Sequence, residues 1–254
     1  MCSSDLDFVC LPEIFAYFNT SLTPRETLEA PDGPAHTFLA TTAREVRTNL
    51  VTTVYTRCPE GAFNRGVWYD RAGRLAGIYD KVHLAPGEEE VVQPGRDFPV
   101  YEIGGVKVGM QTCYDLNFPE GCRVLALRGA EIIFWPNLWG GMPEDGTEVM
   151  MRARAMENQV CLVSAACLLT GSGFFRVPKV HGRSCIVDWH GTIVAEVGLR
   201  IGVTVATLDF DEDRQVQVSH EGNLAHERRP ETYGPLVGDH FAPLEGGANC
   251  RTHR

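Results

Sequence analysis

In Val106-Lys107-Val108-Gly109-Met110-Gln111-Thr112-Cys113-Tyr114-Asp115, valine and methionine alternate with lysine, glycine and glutamine, the two-residue period of a strand in a sheet. The alternation runs directly into Cys113. A short polar turn follows, and a helical pattern then starts near Pro119, carrying Val124, Leu125, Leu127 and Arg128 before Gly129 stops it. A thiol on a strand-to-helix turn stands clear of the sheet with backbone N–H groups close by, the placement an acyl-transfer nucleophile needs. A cysteine simply buried at a strand end gives the same local pattern. On this stretch alone the two readings are evenly matched.

Strand-like runs recur outward from it, at 6–11, 49–56, 66–70, 75–79, 100–103, 106–112, 132–136, 160–166, 184–188, 193–196 and 203–209. Asp70-Arg71-Ala72-Gly73, Gly104-Gly105 and Asp188-Trp189-His190-Gly191 read as hairpin loops between neighbours. Three helices interrupt the strands. One follows Asp32-Gly33-Pro34, with the Asp near the cap and Phe38, Leu39, Ala43 and Val46 at helical spacing. The second starts near Pro119, and the third covers about 147–158. Hairpins mixed with strand–helix–strand units predict an α/β fold of mixed sheets covered by helices. No linker or shift in composition divides the chain, so a single domain over 1–254 is expected.

A net charge of −10 with scattered basic residues argues against a nucleic-acid partner or an anionic membrane surface. Nine cysteines form no CxxC pair, and Cys10, Cys161 and Cys185 lie in apolar runs as small buried hydrophobes. With no signal-peptide pattern and no membrane-length apolar run, a soluble, reducing, cytoplasmic setting is expected. The histidines lack metal spacing, His220 and His226 included, so neither a metal nor another cofactor is expected.

A nucleophilic thiol needs a base, because an ordinary cysteine is only a few per cent thiolate at neutral pH. No histidine sits in a matching turn. Two charged residues do close apolar strands: Glu13 after Phe8-Val9-Cys10-Leu11-Pro12, and Lys81 after Gly77-Ile78-Tyr79-Asp80. Either one alone reads as a solvated strand end. Their conjunction is more specific. Leu-Pro-Glu, then Tyr-Asp-Lys-Val-His-Leu, then a strand ending in Cys-Tyr-Asp resembles, in that order, the nitrilase-like family of carbon–nitrogen hydrolases. The likeness continues through Tyr69–Gly73, Phe118-Pro119-Glu120 with Arg123, Leu127–Glu131, Arg152–Gln159 and Glu227–Tyr233.

The resemblance implies a four-layer α-β-β-α sandwich with two facing mixed sheets, and a Glu13 base, Lys81 oxyanion stabiliser and Cys113 nucleophile. It implies a further glutamate six residues before a Pro-Gly pair, and Pro94-Gly95 places that position at Glu88. The backbone N–H of Tyr114 would share the oxyanion, with Asn137 and Trp139 lining the substrate site. The implied partner is a small-molecule amide or carbamoyl amide, and the implied assembly a homodimer or higher homo-oligomer. Two departures stand out. The usual first strand and helix are missing ahead of 6–11, which is expected to leave a sheet edge exposed. Leu116 and Asn117 stand where carboxylate-binding relatives carry arginine, which favours a neutral or cationic amide unless Arg176 or Arg183 reaches in. Nitrilases proper carry Trp-Glu after the cysteine, so Tyr114-Asp115 disfavours a nitrile. A binding or assembly subunit without catalysis, and an acyltransferase using the same thioester, remain as alternatives.

Overall fold

The structure is a computed structural model describing residues 6–17, 20–139, 144–167, 183–198, 200–210 and 227–238. The chain falls into two units, Met1–Phe210 and Asp211–Arg254. The first contains two sheets. One has the order β1-β2-β3-β4, from Phe8–Cys10, Asn49–Cys58, Gly61–Tyr69 and Leu75–Asp80. The other has the order β10-β9-β8-β7-β6-β5, from Tyr101–Ile103 (β5), Val106–Met110 (β6), Ile132–Asn137 (β7), Cys161–Ala166 (β8), Ser184–Val187 (β9) and Ile193–Gly198 (β10). Both are mixed: β1–β2, β6–β7 and β7–β8 are parallel, and the remaining pairs are antiparallel.

The period-2 pattern decides which residues meet. Val51, Trp68 and Tyr79 of the first sheet pack with Val108, Met110, Ile132 and Phe134 of the second, so the two inner faces make one core. Their approach is close at Gly66, where a Cβ would lie 2.2 Å from the Met110 sulfur. The outer faces are covered by helices. Leu39 and Ala43 of α1 (Pro34–Val46) pack on Leu50, Val54 and Val67. Leu125 of α2 (Pro119–Leu127) and Met151 and Ala155 of α3 (Glu144–Asn158) pack on Ile133, Trp135 and Leu162. These are the four layers α-β-β-α, with all three expected hairpins in place.

Three details differ from expectation. The α1 cap is Gly33, and Glu29 rather than Asp32 receives the Ala35 and His36 N–H groups, at 3.0 and 3.2 Å. Strand β3 begins at Gly61 rather than at 66, because pairing with β2 carries it through the polar Asn64 and Arg65. The run 203–209 alternates between outward Val203 and Val205 and half-buried Thr204, Ala206 and Leu208, but joins neither sheet among the described residues. His220, His226 and Arg176 lie outside the described residues. The second unit, by itself, shows short 3-10 turns at Pro230–Thr232 and Gly234–Val237, with the Arg228 guanidinium over the Tyr233 ring.

Under α1, His36 is buried, with Nδ1 2.8 Å from the Tyr69 hydroxyl and Nε2 2.9 Å from Thr56 Oγ1. Burial holds its pKa below the usual 6.5, helped by Arg65 and opposed by Glu29 and Asp32. A histidine depressed in the fold gives stability that is complete above its unfolded pKa and is lost as pH falls below it. Stability, followed through the melting temperature, should therefore fall more steeply between about pH 7 and 5 in the wild type than in His36→Gln, the difference being at most ~1.4 kcal/mol per pH unit. Parallel melting curves across that range would assign the acid sensitivity to other groups.

Candidate active site

The ends of both sheets converge on one buried cluster. After β1, the Leu11 N–H bonds to the Val51 carbonyl at 2.8 Å, and the Pro12 carbonyl accepts from Thr52 Oγ1 at 2.7 Å. Ile14 then turns with φ 43° and donates its N–H to Thr53 Oγ1 at 2.9 Å. This brackets Glu13 at the mouth of the first sheet, where it is buried.

Lys81 directly follows β4, and its N–H bonds to the Asn64 carbonyl of β3 at 3.0 Å. Beside this rung, Arg65 and Asp80 pair across the strands in a two-pronged salt bridge of 2.7 and 2.9 Å, fixing the register. Gly95 donates to the Lys81 carbonyl and lies so near the strand end that a Cβ would sit 1.9 Å from the Asp80 carbonyl oxygen. Only glycine permits that approach. The lysine ammonium is then enclosed by carboxylates, 3.0 Å from Glu13 Oε1 and 2.7 Å from Glu88 Oε2. Glu88 opens a 3-10 turn, Glu88–Glu90, and also accepts from the Ala85 N–H at 2.9 Å.

Cys113 comes from the other sheet, three residues past β6, at the start of the 3-10 turn Cys113–Asn117. Its φ is 45°, the left-handed region, which costs a non-glycine residue about 1–3 kcal/mol and persists only where surroundings impose it. The restraints are visible. Trp135 Nε1 donates to the Cys113 carbonyl at 3.0 Å. Buried Asp115 accepts from the Thr112 N–H at 2.9 Å, the Tyr79 hydroxyl at 2.6 Å and the His83 N–H at 2.8 Å. One carboxylate thus ties the cysteine turn to the loop just past Lys81.

Burial and then Glu13 hold the Cys113 thiol well above its usual pKa, against the pull of Lys81 and the Leu138 N–H. Glu13 is also raised, chiefly by burial with Glu88 adding, while Lys81 and a hydrogen bond from Cys113 oppose. Burial works against the Lys81 charge, but Glu13 and Glu88 outweigh it and hold it well above an ordinary lysine. The site therefore sets a thiol and a carboxyl, both made reluctant to ionise by burial, beside a fixed cation.

The structure brings Glu13, Lys81, Glu88 and Cys113 together; Tyr114 follows the cysteine, half-buried and edge-on to Phe118. The other expected residues have these partners. Asn137 is buried and engaged internally, donating to the Trp135 carbonyl and Ser164 Oγ and accepting from the Trp139 N–H. Trp139 is buried and donates to Thr147. Together they shape the loop that presents the Leu138 N–H to Glu13 Oε2 at 2.9 Å. Leu116 is fully buried in the core beneath α2 and α3, so a leucine there is a packing choice and says nothing about substrate charge. Asn117 turns back onto the Tyr114 carbonyl. Arg183 is engaged by Glu148 and Glu196. Sequence reasoning missed Asn64, Asp115 and the Leu138 N–H. The first two are polar residues of buried segments, and the third is a backbone group carrying no residue signal.

Comparison with known proteins gives a consistent picture. A family model described as carbon-nitrogen hydrolase matches residues 2–217. The 2-oxoglutaramate amidase of Bacillus subtilis is 31% identical over 85% of this chain and 83% of its own. A carbon-nitrogen hydrolase from Helicobacter pylori superposes with a TM-score of 0.79 over 91% of this chain and 86% of that one, a likeness in fold at 22% identity. A glutamine mutant of an amidase from Nesterenkonia sp. AN1, carrying acrylamide at its active site cysteine, matches with a TM-score of 0.73 and 25% identity over the same shares.

Proposed function

The chain belongs to the carbon–nitrogen hydrolase family, and from that premise we propose that it hydrolyses a small linear amide or carbamoyl amide through a thioester on Cys113. One observation carries the reading: a strained cysteine beside a buried carboxylate–ammonium–carboxylate cluster drawn from separate elements of the fold. Glu13 takes the thiol proton as sulfur bonds to the amide carbon. The Lys81 ammonium, with the Tyr114 N–H, receives the developing oxyanion, a type of contact worth about 3–4 kcal/mol in a dry site. Protonated Glu13 returns its proton to the nitrogen as the C–N bond breaks, and ammonia or an amine leaves. Water then gives a proton to Glu13 and adds to the thioester. The C–S bond breaks, and Cys113 recovers the proton as the acid departs. Glu88, held by the same ammonium, orients the substrate nitrogen or the water.

The Bacillus relative is named for 2-oxoglutaramate, an amide that also carries a carboxylate at the other end of its chain. With Leu116 committed to the core, the described residues do not argue against an anionic substrate. The test is a panel of amides, carbamoyl compounds and nitriles, neutral and anionic in matched pairs, assayed for ammonia release with acid quenching and mass analysis of the Cys113 peptide. At least one amide should release ammonia and leave an acyl group on Cys113. Acylation that resolves only with an added amine would assign a transferase instead. No ammonia and no adduct across the panel would leave a binding subunit.

A further inference from the structure

Asn64 lies on the inner face of β3, opposite Tyr55 of β2 and bonded through its carbonyl to the Lys81 N–H. It is wholly buried. Its side-chain amide donates one hydrogen to Glu13 Oε1 at 2.8 Å and another to Glu88 Oε1 at 2.8 Å. The Lys81 ammonium spans the same two residues from the other side. Asn64, Glu13, Lys81 and Glu88 therefore close a ring in which each donor touches both carboxylates. Ionised carboxylates only accept, so the amide must turn its NH2 towards them. The cost of that choice is visible: Asn64 Oδ1 is buried without a hydrogen-bond partner.

The ring distinguishes the two oxygens of Glu13. Oε1 accepts from both Lys81 and Asn64, while Oε2 meets the Leu138 N–H. Oε1 thus carries two donors and Oε2 one, which leaves Oε2 the oxygen with room to accept the Cys113 proton. We propose that Asn64 is a positioning residue that locks Glu13 Oε1, so that Oε2 is the atom exchanging the proton with Cys113, and that holds Glu88 apart from Glu13. The proposal rests on the reading of Glu13 as base and Cys113 as nucleophile. An aspartate would fail here because it brings no hydrogens and adds a third negative charge. The groups acting on Glu13 are Lys81, Glu88 and Cys113, with the Tyr55 hydroxyl close enough to sense its charge.

The sign of the effect follows. A donor to the ionised form favours that form, so removing it raises the affinity of Glu13 for its proton. Asn64→Leu keeps the shape and loses both donors, and Asn64→Ser keeps a single hydroxyl donor. The first readout needs no substrate: the pH dependence of Cys113 alkylation by iodoacetamide, followed by peptide mass analysis. Its midpoint should move upward by about one pH unit in Asn64→Leu and by less in Asn64→Ser. With the best amide of the panel, kcat should fall about 10–100-fold while KM stays within about threefold. A purely structural role would lower the melting temperature and leave the midpoint where it was, which overturns the proposal. Insoluble Asn64→Leu with a wild-type midpoint in Asn64→Ser counts the same way. Cys113→Ala separates the two levels. If it retains turnover, the reading of the site fails; if it is inactive while both Asn64 variants keep the wild-type profile, only the role of Asn64 fails.

Discussion

Methionine in place of Lys81 is expected to cut kcat by ~10³-fold or more and to leave a protein that is more stable in acid than at neutral pH. The first effect follows from losing the cation proposed to face the oxyanion. The second follows from what remains: Glu13 and Glu88, both buried, with the ammonium between them gone. Removing one partner of a buried pair costs about 3–5 kcal/mol, because the charge left behind is uncompensated. Here the remaining carboxylates can escape by binding a proton. Burial and Glu88 already raise Glu13 with Lys81 opposing, so deleting Lys81 raises it further. A carboxyl raised in the fold contributes stability that is present below its unfolded value of about 4.3 and is lost as pH climbs through the folded value. The deficit against wild type should thus be small near pH 4 and grow upward, reaching on the order of 10 °C in melting temperature at neutral pH. Melting curves from pH 4 to 8 decide it. A deficit that shrinks as pH rises would mean the carboxylates are not held by Lys81.

The second large effect concerns the proposed base and nucleophile as a unit. Cys113→Ala and Glu13→Gln should each lower turnover by ~10⁴-fold or more, and combining them should cost less than about a further tenfold. A thiol held neutral by burial needs its acceptor at the moment of attack, so the two groups serve one step. Glutamine at 13 also has one carboxylate oxygen too few for Asn64, Lys81 and Leu138, which all donate there. Rates for the single and double variants on one amide test this. Effects that multiply would show that the two act in separate steps.

How much of this was legible in the sequence varies with the kind of interaction. The strand ending at Cys113, the hairpin glycines and the helices α1 and α2 are written in local periodicity and stand in the structure, although Phe38 and Leu127 of the helical patterns are exposed. Glu13 and Lys81 close apolar strands and could be picked out by position. Glu88 comes through the family resemblance, which counts back from Pro94-Gly95, and Gly95 shows why that pair is a fixed point: its backbone rests against the lysine strand. Asn64 could not be seen. A polar residue in mid-strand reads as solvent-facing until one knows that a second sheet covers that face. Leu116 misleads for a related reason, since closeness in sequence to Cys113 does not tell which wall a side chain joins. The run 203–209 has the alternation of a strand, but a strand also needs a neighbour.

The division of the site between the sheets has a consequence for the newborn chain. Glu13, Asn64, Lys81 and Glu88 belong to the first sheet and the loop after it, whereas Cys113 and Leu138 belong to the second. A ribosome delivers the acid–base half before the nucleophile. Neither half encloses the other's charges until the inner faces have closed over Met110 and Gly66. The meeting of thiol, carboxyl and ammonium is thus a property of the finished sandwich, since neither sheet alone holds all three.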